Sequence, residues 1–136
     1  MGDKSFKLEI VTPQRVVFKG DVNSFTAPGV MGSFQVLFNH APLLSTIGIG
    51  EAKLRDAGGN EIRYATGGGF VEVLNNKVTM LAESAERADE INIERAEKAK
   101  SRAQNRIAER NPDTNIERAQ AALARALNRL KVSERA

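Results

Sequence analysis

Two sets of regularly spaced arginines are the residues of this chain best suited to chemistry. The first set recurs at intervals of seven and four residues, and the second repeats those intervals: Arg95, Arg102 and Arg106, then Arg118, Arg125 and Arg129. In a helix this spacing places each set on one face. Facing guanidinium groups can clamp a phosphate through paired hydrogen bonds. The residues alone leave two interpretations open, an anion-binding face or a solvated face whose arginines pair with nearby acidic side chains.

The remaining candidates for chemistry do not form a catalytic set. The chain has no cysteine and a single histidine, His40, which excludes disulfides, thiolate metal sites and multi-histidine metal sites. Glu72 and Glu83 have no accompanying nucleophile or metal motif, so we expect solvated carboxylates there. Gly67-Gly68-Gly69 lacks the lysine and hydroxyl residue of a phosphate-binding loop, which favours a turn or bulge. We therefore predict a structural or interface role for His40 and a protein that is not an enzyme.

The elements that would position these residues change in character near residue 87. Phe6, Leu8 and Ile10 alternate with polar residues, the period of a half-buried strand, and similar short runs follow as far as residue 82. Turn signals separate the runs, among them Lys19-Gly20-Asp21 and Asn75-Asn76. Around Pro42 we predict a bent loop. Short strands at such close spacing predict an antiparallel β-sandwich or barrel over residues 1–87.

Residues 88–136 contain no glycine and are rich in Ala, Arg, Glu and Lys, which favours helix. The segment Asn92–Ala96 recurs in identical form at Asn115–Ala119, which predicts two similar helices that meet near Asn111-Pro112. Their apolar stripes are narrow: Ile93, Ala96, Ala99, Ala103 and Ile107, then Ile116, Ala119, Leu123, Ala126 or Leu127, and Leu130. We predict an α+β chain in which a two-helix antiparallel hairpin with a thin seam follows the sandwich.

The charge distribution separates the same two parts. Residues 1–88 hold nine basic and nine acidic side chains, whereas residues 89–136 hold eleven basic and eight acidic ones, which accounts for the net charge of +3. Basic and acidic residues are interspersed in the helical part, and that part has no aromatic residue. Nucleic-acid binding needs clustered positive charge and often stacking aromatics, so we expect no nucleic-acid partner.

Several segments resemble the epsilon subunit of bacterial rotary (F-type) ATP synthases. They are Val11-Thr12-Pro13, Asn39-His40-Ala41-Pro42-Leu43-Leu44, Gly68-Gly69-Phe70-Val71-Glu72-Val73, the run from Ala82 to Ala88, and Arg125-Ala126-Leu127-Asn128-Arg129-Leu130. They cover essentially the whole chain in the order of the family. The resemblance implies a β-sandwich of about ten strands followed by a two-helix C-terminal domain, in agreement with the pattern above.

The resemblance also implies a non-catalytic rotor subunit of a proton- or sodium-translocating ATP synthase. Its sandwich would bind the gamma subunit and the c-ring, and its helices would fold down on the sandwich or extend towards the beta and alpha subunits and block ATP hydrolysis. Such a subunit lies at the cytoplasmic face of the bacterial inner membrane and associates with the membrane only through the complex. The implied contacts with the c-ring and gamma are Gly32, Ser33, Phe34, His40 and Pro42. Many members carry glutamate where Ser33 stands, so an ionic contact at that position is not expected.

Some members of this family bind ATP in the folded-down helices, through residues that this chain largely shares. The matching positions are Glu86, Ile91, Asn92, Arg95, Ala96, Arg102, Arg125 and Arg129. Asn92 departs from the pattern, because an uncharged amide stands where those members have an acid. No cofactor is required on this interpretation, and ATP would be a regulatory ligand. The alternative function is a stand-alone ATP-sensing module that uses the arginine faces and needs no partner.

Overall fold

The computed structural model describes residues 4–136 and divides them into a sandwich and a helical arm. The sandwich has seven strands: β1 (Phe6–Val11), β2 (Val16–Gly29), β3 (Gly32–Val36), β4 (Leu43–Asp56), β5 (Glu61–Leu74), β6 (Lys77–Ala82) and β7 (Ala85–Arg87). A 3-10 turn at Ala88–Glu90 leads to the arm, which consists of α1 (Ile93–Glu109) and α2 (Ile116–Ser133). The predicted α+β fold class is confirmed.

Hydrogen bonding closes the sheet into a barrel-like sandwich. The strands follow the order β1-β6-β5-β4-β2-β3. An additional pairing of β1 with β2 closes a ring of β1, β6, β5, β4 and β2, and β3 extends from β2 outside this ring. All pairs are antiparallel except β1 with β6, which run parallel. Strands β2, β4 and β5 are each 14 residues long and change partners along their length. Counting each of these three as two segments gives the ten strands that the resemblance implies.

The core of the sandwich lies entirely inside the strands. Alternate residues of β1 point inward, as their period-two pattern predicts, so Phe6, Leu8 and Ile10 are almost inaccessible to solvent. They pack with large side chains from the other strands, including Phe25, Leu54 and Met80. Every fully buried member of this cluster falls between Phe6 and Ala85, so the arm contributes nothing to it.

One of the predicted turns was wrong, whereas the loop around Pro42 is confirmed. Lys19-Gly20-Asp21 is not a turn, because it continues β2 and pairs with β1, with Gly20 opposite Leu8. The predicted loop around Pro42 is real but short, since β4 already begins at Leu43. The Asn75-Asn76 hairpin turn is confirmed, and both asparagines have the positive φ that such a turn requires.

Gly67-Gly68-Gly69 forms an irregularity inside β5 and not a separate turn. Gly68 and Gly69 have φ angles of +111° and +141°. A Cβ on Gly69 would lie 1.9 Å from the carbonyl oxygen of Leu81, so only glycine fits there. The irregularity marks the point where β5 exchanges β7 for β6 as its partner. The pairing register of β4 with β5 does not shift at these glycines, so the predicted turn or bulge is wrong and the strand continues through them.

The repeated segment begins both helices in the same way. The side chains of Asn92 and Asn115 cap α1 and α2 by accepting hydrogen bonds from the backbone N–H of Arg95 and Arg118, at 3.0 and 3.1 Å. Helix α1 ends at Arg110 in the left-handed conformation. The seam between the helices buries small residues: Ala96, Ala103, Ala119 and Ala126. Ile93 and Ile116 were expected in the seam, but they are 56% and 38% exposed.

The arm lies folded down against the sandwich, with α2 on β4 and β5 and α1 packed on α2. Its apolar attachment is a small separate cluster of four buried residues: Ala65, Ala88, Ile91 and Val132. Val132, near the end of α2, is 1% exposed and is the one aliphatic side chain that the arm helices contribute. The attachment is therefore narrow compared with the core of the sandwich.

Candidate anion-binding cavity and docking face

A cavity of about 800 Å³ lies between the arm and the sandwich. The arm supplies Arg95 from α1 and Arg125, Asn128 and Arg129 from α2. The sandwich supplies Thr12, Gln14 and Arg15 from the turn between β1 and β2, Thr66 and Gly67 from β5, and Ser84, Ala85 and Glu86 around the start of β7. Alanines from both helices, Ala99, Ala122 and Ala126, form its apolar part. The volume is in the range of small-molecule binding sites.

Helical geometry brings the arginines together. Arg125 and Arg129 are separated by one turn of α2, so both side chains project from the same face, and Arg95 reaches the cavity from the neighbouring helix. Among residues 4–136, four arginines and one glutamate line the cavity, which gives this lining a strongly positive charge. An anion is the ligand that such a lining favours.

Arg129 is already paired with Glu86, the one carboxylate among the described residues that line the cavity. Its Nε and Nη2 donate to Oε1 and Oε2 of Glu86 at 2.7 and 3.1 Å, a bidentate arrangement. Both side chains are partly shielded from solvent, at 23% and 35% exposure. The pair connects α2 to β7, so it also helps to hold the arm down.

Two further polar contacts attach the end of α2 and the residues that follow it. Asn128 Nδ2 donates to the carbonyl oxygen of Gly50 at 2.9 Å. Arg135 Nη1 lies 3.5 Å from Glu51 Oε1, a carboxylate that also faces Arg63 Nε at 3.6 Å. An exposed ion pair contributes about 1 kcal/mol or less, whereas a buried aliphatic side chain contributes about 1.5–3 kcal/mol, so we expect the cluster around Val132 to contribute more to the attachment than the Arg135 pair does.

Four of the predicted ligand residues line the cavity and four do not. Glu86, Arg95, Arg125 and Arg129 are brought together. Arg102 is exposed two turns further along α1, outside the lining. Ile91 is buried in the attachment cluster and Ala96 in the helix seam, while Asn92 caps α1. These last three shape the arm and do not face the cavity.

The sandwich side of the cavity was missed by sequence reasoning. Arg15 and Gln14 lie about 80 residues before Arg95 in the chain and carry no motif of their own. The only local signal was Thr12-Pro13, which marks a turn but does not say what the turn faces. Closure of the barrel by β1 and β2 brings this turn next to β5 and β7, and the docked arm then covers it.

A second surface of interest lies on the outer face of β4, β5 and β6. Leu44, Phe70 and Leu81 are 72%, 53% and 52% exposed. Phe70 pairs with Leu81 across one strand junction and with Thr46 across the other, and Leu44 is two residues from Thr46 on the same face. Large apolar side chains that lie together and are exposed to solvent indicate a surface that binds another protein.

Comparison with known proteins identifies the family. The family model of the ATP synthase delta/epsilon chain β-sandwich domain matches residues 5–88, and that of the long α-helix domain matches residues 89–134. A relative named ATP synthase epsilon chain from Pelotomaculum thermopropionicum is 50% identical over 108 residues, 79% of this chain and 80% of the relative. The chain belongs to the ATP synthase epsilon chain family. The family assignment predicted from the sequence is thereby confirmed.

Other epsilon chains and more distant structures agree. The ATP synthase epsilon chain of Carboxydothermus hydrogenoformans is 48% identical over 108 residues, 79% of each chain. A chain in the cryo-EM structure of Euglena gracilis mitochondrial ATP synthase, OSCP/F1/c-ring, superposes with a TM-score of 0.78 at 21% identity and covers 91% of this chain and 81% of that one. At that identity the superposition supports the fold only.

The residues that the family resemblance assigns to the c-ring and gamma lie in β3 and in the loop that follows it. Gly32 and Ser33 begin the strand and are exposed, whereas the Phe34 side chain packs against the core. His40 and Pro42 lie in the loop that follows β3, where His40 Nδ1 is 2.7 Å from the carbonyl oxygen of Ala41. That loop is held by Asn76, whose Oδ1 accepts from the N–H of Asn39 at 2.7 Å.

Three side chains in this epsilon-family chain have pKa values that depart from their usual range. Hydrogen bonds from the backbone and side chain of Asn60 lower the pKa of Asp56, and a hydrogen bond from Arg55 lowers the pKa of Glu61. Burial raises the pKa of Tyr64.

Within residues 4–136, acidic and histidine side chains form no group of three or more that could hold a metal ion. No helix over the same range is both long and apolar enough to cross a membrane.

Proposed function

We propose that this chain is a non-catalytic subunit of the central stalk of a proton- or sodium-translocating F-type ATP synthase. In this role the sandwich connects the gamma subunit to the c-ring, and the complex holds the chain at the cytoplasmic face of the bacterial inner membrane. Family membership supports the assignment, and the fold occurs in an assembly described as F1 with a c-ring. The apolar face of Leu44, Phe70 and Leu81 is the surface we assign to gamma.

A regulatory role for the arm is supported by the contrast between the large core of the sandwich and the small cluster that attaches the arm. The sandwich core is complete without the arm, and the arm is attached by one small cluster and a few polar contacts. The arm is therefore a separate body that can leave its site while the sandwich stays folded. We assign to the detached arm the inhibition of ATP hydrolysis, by extension towards the beta and alpha subunits. The excess positive charge of residues 89–136 favours acidic surfaces there.

The test is ATP hydrolysis by the matching alpha-beta-gamma head, with the full chain or the fragment 1–87 added. The fragment retains every fully buried residue of the main core, so it is expected to fold. The full chain should inhibit, whereas the fragment should bind gamma with the same affinity and leave the rate unchanged. The double variant Phe70→Ser/Leu81→Ser should lose binding to gamma, while Leu127→Ser, an equally exposed change on the arm, should keep it.

Three outcomes contradict different parts of this assignment. Inhibition of ATP hydrolysis by the fragment 1–87 would contradict the regulatory role assigned to the arm. Failure of both proteins to bind gamma would contradict the central-stalk function. Unchanged binding of the Phe70/Leu81 variant would leave the function intact but move the gamma contact to another face.

A second candidate function is supported by the cavity. We propose that ATP binds there as a regulatory ligand that stabilises the docked arm, with Arg95, Arg125 and Arg129 as phosphate ligands. Calorimetry on the isolated full chain tests this directly. Arg125→Gln should weaken ATP binding about tenfold or more. Arg118→Gln should not, because Arg118 lies outside the lining on the same helix. Equal affinities for the two variants would refute the assignment.

A further inference from the structure

We infer that Arg15 completes this site from the sandwich side, so that the phosphate chain of its ligand bridges the two parts of the protein. The inference rests on the cavity being the ATP site proposed above, and it adds a residue and a ligand chemistry to it. Arg15 does not belong to the helical arm. It lies in the turn between β1 and β2. The structure nevertheless places it in the lining with Arg95 and Arg125.

The turn that carries Arg15 is firmly held. The N–H of Thr12 donates to the carbonyl oxygen of Arg15 at 2.9 Å, and the N–H of Arg15 donates to Thr12 Oγ1 at 3.3 Å. Such a double link between residues 12 and 15 fixes the backbone from which the guanidinium projects. A fixed backbone lowers the entropy that is lost when the side chain binds an anion.

Charge selects the kind of ligand. Among residues 4–136, the side chains of Arg15, Arg95 and Arg125 make no ion pair, and only Arg129 faces a carboxylate. The lining thus has a formal excess of three positive charges, with four arginines against Glu86. A ligand with several negative charges in a row matches this excess, as a triphosphate does. A single phosphate or a carboxylate would leave arginines unused.

The rest of the lining recognises little beyond charge. No aromatic side chain lines the cavity in the part of the chain that the structure describes, so a base has no ring on which to stack. Alanines provide a flat apolar wall, and Thr66 uses its hydroxyl to donate to the carbonyl oxygens of Gly48 or Gly50. The phosphate chain is therefore the part of a nucleotide that this site holds most tightly.

The test compares three ligands on the full-length chain by calorimetry: ATP, inorganic tripolyphosphate and adenosine. ATP and tripolyphosphate should bind and compete with each other, and adenosine should not bind. Arg15→Gln should weaken both anions by about 10-fold to 100-fold, the effect of losing a charged hydrogen bond. Lys77→Gln removes the same charge from an exposed position on β6 and should leave both affinities unchanged.

The outcomes separate the inference from the function on which it rests. If Arg125→Gln abolishes ATP binding but Arg15→Gln behaves like Lys77→Gln, ATP binds to the arm alone and the inference is wrong. If ATP binds and tripolyphosphate does not, recognition through the phosphate chain is wrong. If the native chain binds neither anion, the ATP site and this inference both fail, while the assignment to the central stalk is unaffected.

Discussion

Replacing Val132 with alanine should loosen the arm without destabilising the sandwich. Val132 is 1% exposed and packs with Ala65, Ala88 and Ile91, outside the main core. The change removes two buried methyl groups, each worth about 0.8 kcal/mol, so the docked arm should lose about 1.6 kcal/mol before any cavity penalty. Since 1.4 kcal/mol is a factor of ten, the ratio of detached to docked arm should rise about 15-fold.

Thiol labelling can measure this ratio even when the detached state is rare. The native chain has no cysteine, so Ala88→Cys introduces a single thiol beneath the arm, at a position that is 5% exposed. A bulky disulfide reagent reaches that thiol only when the arm has detached. The reagent is much larger than the space that Val132→Ala vacates, so it cannot enter while the arm is docked. Under rapid opening and closing, the labelling rate follows the detached fraction. Val132→Ala should therefore speed labelling of Cys-substituted protein about 15-fold.

The matched control is Leu127→Ala on the same helix. Leu127 is 45% exposed, so its truncation removes more carbon atoms but little buried area, and the labelling rate should stay within about twofold. Urea unfolding of the sandwich should be the same in both variants. An equal labelling rate for Val132→Ala and the native arm would refute the view that this cluster holds the arm, as would a sandwich that unfolds earlier in the Val132 variant.

Three further outcomes are expected. Gly69→Ala should destabilise the sandwich by about 3 kcal/mol or more in urea unfolding, because the new Cβ would lie 1.9 Å from a carbonyl oxygen at a φ of +141°. Gly59→Ala should cost less, because a Cβ at that position meets nothing within 4 Å, and equal losses of stability would contradict the steric argument. Hydrogen bonds from Asn60 make the pKa of Asp56 lower in the folded than in the unfolded chain, so Asp56 stabilises the fold above about pH 4 and this stabilisation is lost as the pH falls through the folded pKa. Asp56→Asn should therefore reduce the drop in melting temperature between neutral and acid pH, and an unchanged drop would count against this assignment. Asn92→Ala should raise hydrogen exchange in the first turn of α1, consistent with loss of about 1 kcal/mol, while Asn92→Asp should not; identical exchange in both would exclude a capping role.

The sequence predicted best those features that neighbouring residues determine. The two helices were predicted from their composition and from the repeated segment Asn92–Ala96, and each copy carries the asparagine that caps its helix three residues on. The Asn75-Asn76 turn was predicted because asparagine tolerates positive φ. Lys19-Gly20-Asp21 misled for the opposite reason, since pairing with β1 overrides the turn preference of a glycine.

The candidate site was only half predictable. The spacing of Arg125 and Arg129 on one helix face is a local property, so their approach to one cavity could be expected. Arg102 has the same periodicity relative to Arg95, yet it lies beyond the end of the cavity, because periodicity gives a direction around the helix and not a depth along the sandwich. Arg15 and Val132 acquire their neighbours only through the closure of the barrel and the docking of the arm, which no short segment encodes.

The pairing of β1 with β2 that closes the ring has a mechanical consequence. In an open sheet, a force on the outermost strand detaches it one hydrogen bond at a time, whereas strands bonded on both sides must break two rows of bonds together. A load applied to the outer face of β4, β5 and β6 is therefore shared around the whole circumference of the sandwich. The arm lies outside this ring, so its movement need not weaken the part that would transmit torque.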